Sequence, residues 1–141
     1  MQYVLPDTCV WLALFDAGDP HFGKGKNQEQ YLNTFRVVVP WPTMYETLRS
    51  KFVKKARPMT AVEKFLQKPS ISYLDDLPYR DAAKSLSFSS SLHRNRPLSM
   101  VDCTIRLMLD DPNVQIDALL TFNVRDFVDV CSRRRISIID D

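Results

Sequence analysis

The order of apolar runs predicts an α/β protein built on a parallel sheet of about five strands with helices on both faces. Three observations predict it. Short β-prone runs alternate with longer runs of helical period, and no hairpin dipeptide joins neighbouring strands. The chain has 141 residues, 45% hydrophobic and 26% charged, which suits one ordinary globular domain spanning residues 1–141. A domain of this length buries about two thirds of its unfolded surface, so neither metal nor disulfides are needed merely to hold it together.

The elements follow in order along the chain. Tyr3-Val4-Leu5 is a strand that stops at Pro6, and Cys9 to Phe15 is a helix of about two turns. Asp16 to Pro20 breaks the chain, and Tyr31, Leu32 and Phe35 give Lys24 to Phe35 helical spacing. Val37-Val38-Val39 is a second buried strand, with Pro40 and Pro42 bracketing a turn. Met44, Leu48 and Phe52 recur every four residues, so Thr43 to Lys55 reads as one amphipathic helix with cations in its last turns. Thr60 to Lys68 is a short helix and Ile71 to Leu74 a third strand. Pro78 to Leu92 is a helix begun at Asp76, weakened by the serines from Ser85 to Ser91. After the polar loop His93 to Pro97 come a helix over Val101 to Leu109 and strands over Ala118 to Thr121 and Ile136 to Ile139.

Composition excludes several classes. Cys9, Cys103 and Cys131 are odd in number and widely spaced, and only His21 and His93 could join them, so zinc and a disulfide framework are both disfavoured. No apolar run approaches the ~18 residues of a membrane span, and a soluble, cytosolic protein is expected. Three glycines leave no phosphate-binding loop. The formal net charge of +2 conceals an asymmetry. Residues 49–74 carry seven Lys or Arg against one Glu, whereas the segments 1–48 and 109–141 are net acidic.

The acids fall at telling places, because ligands of an open α/β sheet bind beyond the carboxyl ends of its strands. Asp7 follows the first strand, Glu46 lies one turn into the helix after the second, Asp102 begins the helix after the polar loop, and Asn123 and Asp126 follow the strand ending at Thr121. Four carboxylates brought together would not all stay ionised without a cation, and an oxygen-only cage suits Mg²⁺ or Mn²⁺. A plainer reading stands beside this one. Thr43-x-x-Glu46, Ser99-x-x-Asp102 and Asn123-x-x-Asp126 each fit a helix capping box, as does Thr60-x-x-Glu63, which is read as a cap only.

The segments Tyr3-Val-Leu-Pro-Asp-Thr-Cys-Val-Trp-Leu12, Tyr45-Glu-Thr-Leu48, Leu98-Ser-Met-Val-Asp-Cys-Thr-Ile105 and Leu119-Leu-Thr-Phe-Asn-Val-Arg-Asp-Phe127 together resemble the PIN-domain ribonucleases, most closely the toxins of VapBC-type toxin–antitoxin systems. The resemblance implies a three-layer α/β/α fold and an endoribonuclease dependent on Mg²⁺ or Mn²⁺. It carries the acidic quartet onto Asp7, Glu46, Asp102 and Asp126, with Thr8, Ser99, Thr121 and Asn123 as polar support. Some members of the family have an acid where this chain has Asn123, which leaves one metal or two open. The resemblance also implies a cognate antitoxin lying across the site, and often a homodimer.

Mechanism and partner then follow as expectations. A metal-activated water attacks the RNA phosphate, and no histidine is required. Arg49, Lys51, Lys54 and Lys55, continuing from the helix of Glu46, together with Arg94, Arg96 and Arg125, are the candidate RNA contacts. Asp129 is read as a solvated charge, and Trp11, Phe15, Cys9 and Cys103 as core. The rival reading is a non-catalytic PIN-like RNA- or protein-binding module whose acids serve as caps. A small-molecule phosphohydrolase fits less well. The haloacid-dehalogenase type needs an Asp where Cys9 stands, and a phospho-receiver gives no role to Asp102 or Asp126.

Overall fold

The computed structural model describes residues 2–48, 51–93 and 97–141. Among these, strands β1 (Tyr3–Pro6), β2 (Arg36–Pro40), β3 (Ile71–Leu74), β4 (Ala118–Leu120) and β5 (Ser137–Ile139) form one sheet in the order β3-β2-β1-β4-β5. Every pairing is parallel. The central strand β1 sets the register, with Val4 beside Val37 on one flank and Ala118 on the other. The expected α/β class and parallel five-stranded sheet are therefore what the chain adopts.

The helices are α1 (Thr8–Phe15), α2 (Phe22–Thr34), α3 (Trp41–Thr47), α4 (Ala56–Leu66), α5 (Arg80–His93), α6 (Met100–Asp110) and α7 (Val128–Arg134). Alternation along the strands explains the layers, because successive side chains of a strand point to opposite faces. Val4, Ala118 and Leu120 pack with Val10, Trp11 and Leu14 of α1, Leu32 of α2 and Phe65 of α4. Leu5 and Leu119, one residue out of phase, pack with Ile105 and Leu109 of α6 and Val130 and Cys131 of α7. Both faces are covered, which is why these strands read as continuous apolar runs. Trp11 anchors the first layer, stacked on Phe15 and edge-on to Phe65.

Local chemistry shifts several boundaries. Pro40 and Pro42 do not bracket a turn. Pro40 ends β2 and Pro42 lies in the first turn of α3, where its missing N–H costs nothing. The expected helix from Thr43 to Lys55 is instead α3 followed by a separate 3₁₀ turn, Lys51–Lys54. Likewise α4 begins at Ala56, with Pro58 in its first turn, so Thr60 lies inside the helix and donates to the Ala56 carbonyl rather than capping. Helix α7 has no capping side chain to announce it. It is required by topology, since the parallel strands β4 and β5 need a crossover.

The serine-rich stretch remains helical as part of α5, and two of its serines have a task there. Ser87 donates to the Leu98 carbonyl at 3.0 Å, and Ser90 accepts from the Leu98 N–H at 2.6 Å. These bonds fix the residue immediately before Ser99, the cap of α6.

Candidate functional site

The chain leaves β1 for β2 and β3 on one side, then crosses back to β4 and β5 on the other. Between β1 and β4 the crossovers diverge, and their carboxyl ends border a crevice. Asp7 stands at that point. Its N–H donates to the Leu120 carbonyl at 2.9 Å, so the ends of β1 and β4 are tied together beneath it. Its Oδ1 caps α1 by accepting from the Thr8 N–H at 2.7 Å, and its Oδ2 accepts from the Thr121 hydroxyl at 3.0 Å. Thr121 Oγ1 in turn accepts from the Asn123 N–H at 3.0 Å. The Asp7 residue is only 3% exposed.

The other acids reach the same edge from different elements. On α3, Glu46 accepts at Oε1 from the Thr8 hydroxyl at 2.6 Å. Asp102 lies in the first turn of α6, whose cap Ser99 accepts from the Asp102 N–H at 3.1 Å. Asp126 is buried in the 3₁₀ turn Val124–Asp126 that follows β4. Of the proposed capping boxes, only Ser99-x-x-Asp102 caps through its first residue. Thr43 is inside α3, bonded to the Pro40 carbonyl, and Asn123 makes no side-chain cap bond.

The acids act on one another. The Asp7 carboxyl is pushed up to about 6 by burial first and by the charge of Asp102 next, with Glu46 adding to the effect. The Thr8 N–H and the Thr121 hydroxyl oppose this rise. Asp102 is also raised, by burial foremost and by Asp126 and Glu46. Asp102 thus links the group, raising Asp7 while itself being raised by Asp126 and Glu46. This is the situation a cation relieves.

The donor set fits a hard divalent ion, since it consists of four carboxylates and the hydroxyls of Thr8, Ser99 and Thr121 with no imidazole. Among the described residues no group of three or more His, Cys, Asp or Glu is gathered closely enough to hold a metal ion by itself. Mg²⁺ keeps several of its waters and needs only one or two direct carboxylates, so this donor chemistry suits it without a closed cage. The Cys9 sulfur lies 3.7 Å from Asp7 Oδ2 and 3.8 Å from Thr121 Oγ1. Burial and then the Asp7 charge push this thiol up to about 12, so it stays a neutral neighbour. Cys9 is half-buried and packs against the core with its sulfur turned to the site, whereas Cys103 and Cys131 are buried.

Other expected residues are arranged differently. Lys55 is paired with Asp16 at 2.7 Å, at the end of α1 away from Asp7, a helix length of about 12 Å. Lys54 and Arg125 are exposed, the latter beside Asp126. Arg49, Arg94 and Arg96 lie outside the described residues, as does the Lys51 side chain. Asp129 is not simply solvated: Arg106 donates to both its oxygens at 2.7 Å.

Two arrangements escaped the sequence reading. Arg106, one turn beyond Asp102 on α6, also donates to the Asp126 carbonyl at 2.7 Å and so braces the turn that carries that acid. Only the Asp102-x-x-x-Arg106 spacing hinted at it. In addition, His21 stacks on Phe122 with ring centroids 4.7 Å apart, which brings a histidine to the residue between Thr121 and Asn123.

No family model matches the chain, and no curated protein matches it. Solved structures do. The fold is similar to that of VapC20 from Mycobacterium tuberculosis, a sarcin–ricin-loop-cleaving toxin, at 18% identity and a TM-score of 0.64 over 89% of this chain and 94% of that one. It is also similar to VapBC2 from Rickettsia felis, solved bound to a DNA fragment from its promoter, at 11% identity and a TM-score of 0.56 over 97% of each chain. The chain therefore has the PIN-like α/β/α fold. No helix among the described residues is long and apolar enough to cross a membrane.

Proposed function

We propose that this chain is a divalent-metal-dependent endoribonuclease, a VapC-like toxin neutralised by a cognate antitoxin. The observation that carries the reading is Asp7, buried at the switch point of the sheet with its carboxyl pushed up to about 6 by burial and by Asp102 and Glu46. A capping role alone does not require a carboxylate to be buried beside two others at a cost in free energy. The shared fold with a toxin that cuts the sarcin–ricin loop supports the reaction class, and the VapBC2 likeness supports an antitoxin partner.

In this reading Asp7, Glu46, Asp102 and Asp126 would hold Mg²⁺ or Mn²⁺, some directly and the rest through the ion's waters. When bound, the ion polarises the scissile phosphate and lowers the pKa of its water. The chain's own residues supply the orientation. Thr8 and Thr121 fix Glu46 and Asp7, Ser99 fixes the start of α6, and Arg106 fixes the turn of Asp126. Lys54 and Arg125 offer cations to the RNA backbone. The same acidic crevice suits a basic side chain of the antitoxin, and a second copy of the nuclease belongs to the reading.

The test is cleavage of total RNA by the purified protein with Mg²⁺, with EDTA, and as Asp7→Ala. Cleavage only by the wild type with Mg²⁺ is expected, and equal cleavage in all three overturns the proposal. The reciprocal bonding of Ser99 and Asp102 favours the second reading, a non-catalytic module. That module would show no saturable Mn²⁺ binding and no loss of function in Asp102→Asn.

A further inference from the structure

Beside the acids lies a cleft of about 360 Å³, within the size range of small-ligand sites. It shares Glu46 and Ser99 with the candidate site, and Pro42, Tyr45, Met100 and Asp76 complete most of its lining. The Tyr45 ring, one residue before Glu46, is 69% exposed, and Met100, one residue after Ser99, is 43% exposed. A large aromatic ring and a thioether facing water next to the half-buried carboxylates of Glu46 and Asp76 are not a core left unfinished. They are a surface for a flat apolar group. Trp41, one turn earlier on the same face of α3, is also partly exposed and stacks on Tyr73 at 4.5 Å, which extends the aromatic surface.

Charge restricts the occupant. Among the described lining residues Glu46 and Asp76 are acidic and none is Lys or Arg; Arg80 offsets the Asp76 charge, so Glu46 leaves the cleft negative, which disfavours a phosphate and favours a group with N–H donors. The Asp76 carboxylate already accepts from Arg80 at 3.0 and 3.4 Å, which fixes its orientation. A carboxylate offers about four acceptor positions, so Asp76 retains capacity for a ligand.

We propose that this cleft is a nucleobase subsite. In it the base flanking the scissile phosphate stacks on Tyr45 and donates its exocyclic amine or ring N–H to Asp76. The proposal rests on the nuclease reading and adds to it the origin of base preference. Stacking on an aromatic ring is sequence-tolerant, whereas a fixed carboxylate acceptor favours bases that present a donor.

The experiment uses single-stranded RNA hexamers of randomised sequence, cut by the wild type, Tyr45→Ala and Asp76→Asn and sequenced at the new ends. It is followed by defined hexamers bearing either the preferred base or an abasic residue at the flanking position. Thermal melting checks that the variants are folded. The wild type is expected to cut the preferred hexamer at least about tenfold faster than the abasic one. Tyr45→Ala should bring that ratio close to one, and Asp76→Asn should change which base is preferred at that position alone. Cleavage by the variants with the wild-type preference overturns the subsite while leaving the nuclease reading intact. Absence of any cleavage by the wild type with Mg²⁺ or Mn²⁺ overturns both. Loss of antitoxin binding in Tyr45→Ala with the base preference unmoved assigns the cleft to a protein side chain and overturns the subsite.

Discussion

Replacing Asp7 by Asn should make the metal-free protein more stable while abolishing its activity. The buried Asp7 carboxyl rises from 3.8 to about 6. At about 1.4 kcal/mol per tenfold change in proton affinity, holding it ionised at neutral pH costs on the order of 3 kcal/mol. Asn removes the charge, retains an acceptor for the Thr8 N–H, and presents an amide to Thr121 Oγ1. The Thr121 hydroxyl then loses its acceptor, a cost of about 1 kcal/mol. The net gain is about 2 kcal/mol, or roughly 5 °C in Tm for a chain of this length.

The pH dependence has a definite sign. A carboxyl whose pKa is higher in the folded state binds more protons there, so the penalty is absent below pH ~3.8 and wild-type stability falls as the pH rises from there through about 6. The advantage of Asp7→Asn should therefore be largest at pH 7.5 in EDTA and vanish near pH 4. Adding Mn²⁺ at pH 7.5 should raise the Tm of the wild type and not that of the variant. Thermal melting under these three conditions checks it. A variant less stable than wild type at pH 7.5, or an advantage unchanged between pH 7.5 and pH 4, refutes the electrostatic account of the site.

Two further substitutions test the frame around the acids. Arg106→Met removes three bonds of 2.7 Å. The Asp129 side chain is 52% exposed, so screening limits the ion pair to about 0.5–1 kcal/mol, and the charged bond to the Asp126 carbonyl adds about 1.5–3 kcal/mol. Arg106 holds the Asp129 carboxyl well below the usual range. The share due to the pair is thus present above pH ~4 and lost as the pH falls further, and urea titrations at pH 7 and pH 3 should show a smaller penalty at the lower pH. Gly25→Ala would place a Cβ 2.7–2.9 Å from backbone atoms of Ala13 and Leu14. Helices α1 and α2 would have to separate, at about 1–3 kcal/mol. Because α1 starts at the residue after Asp7, both the Tm and RNA cleavage should fall, and a normal Tm would mean the helices yield without strain.

Much of the fold was legible because parallel strands buried on both faces read as apolar runs whatever surrounds them. Val37 to Val39 and Ala118 to Leu120 are examples. The boundary of α3 was not, since Met44, Leu48 and Phe52 keep a helical spacing through a segment that is not one helix. Helix α7 escaped notice because it is short and uncapped. Thr60 matched a cap by spacing, but helix entry is decided by where Lys55 leaves extended conformation.

The sequence by itself determined the α/β class, the parallel sheet and which acids fall beyond strand ends, because alternation, burial and strand-end position are properties of order along the chain. The tertiary structure alone decided which charges meet. It turned Lys55 to Asp16 and Asp129 to Arg106, and it raised Asp7 through burial together with Asp102 and Glu46. Electrostatic energy depends on distance and desolvation in space, and neither is encoded in spacing along the chain.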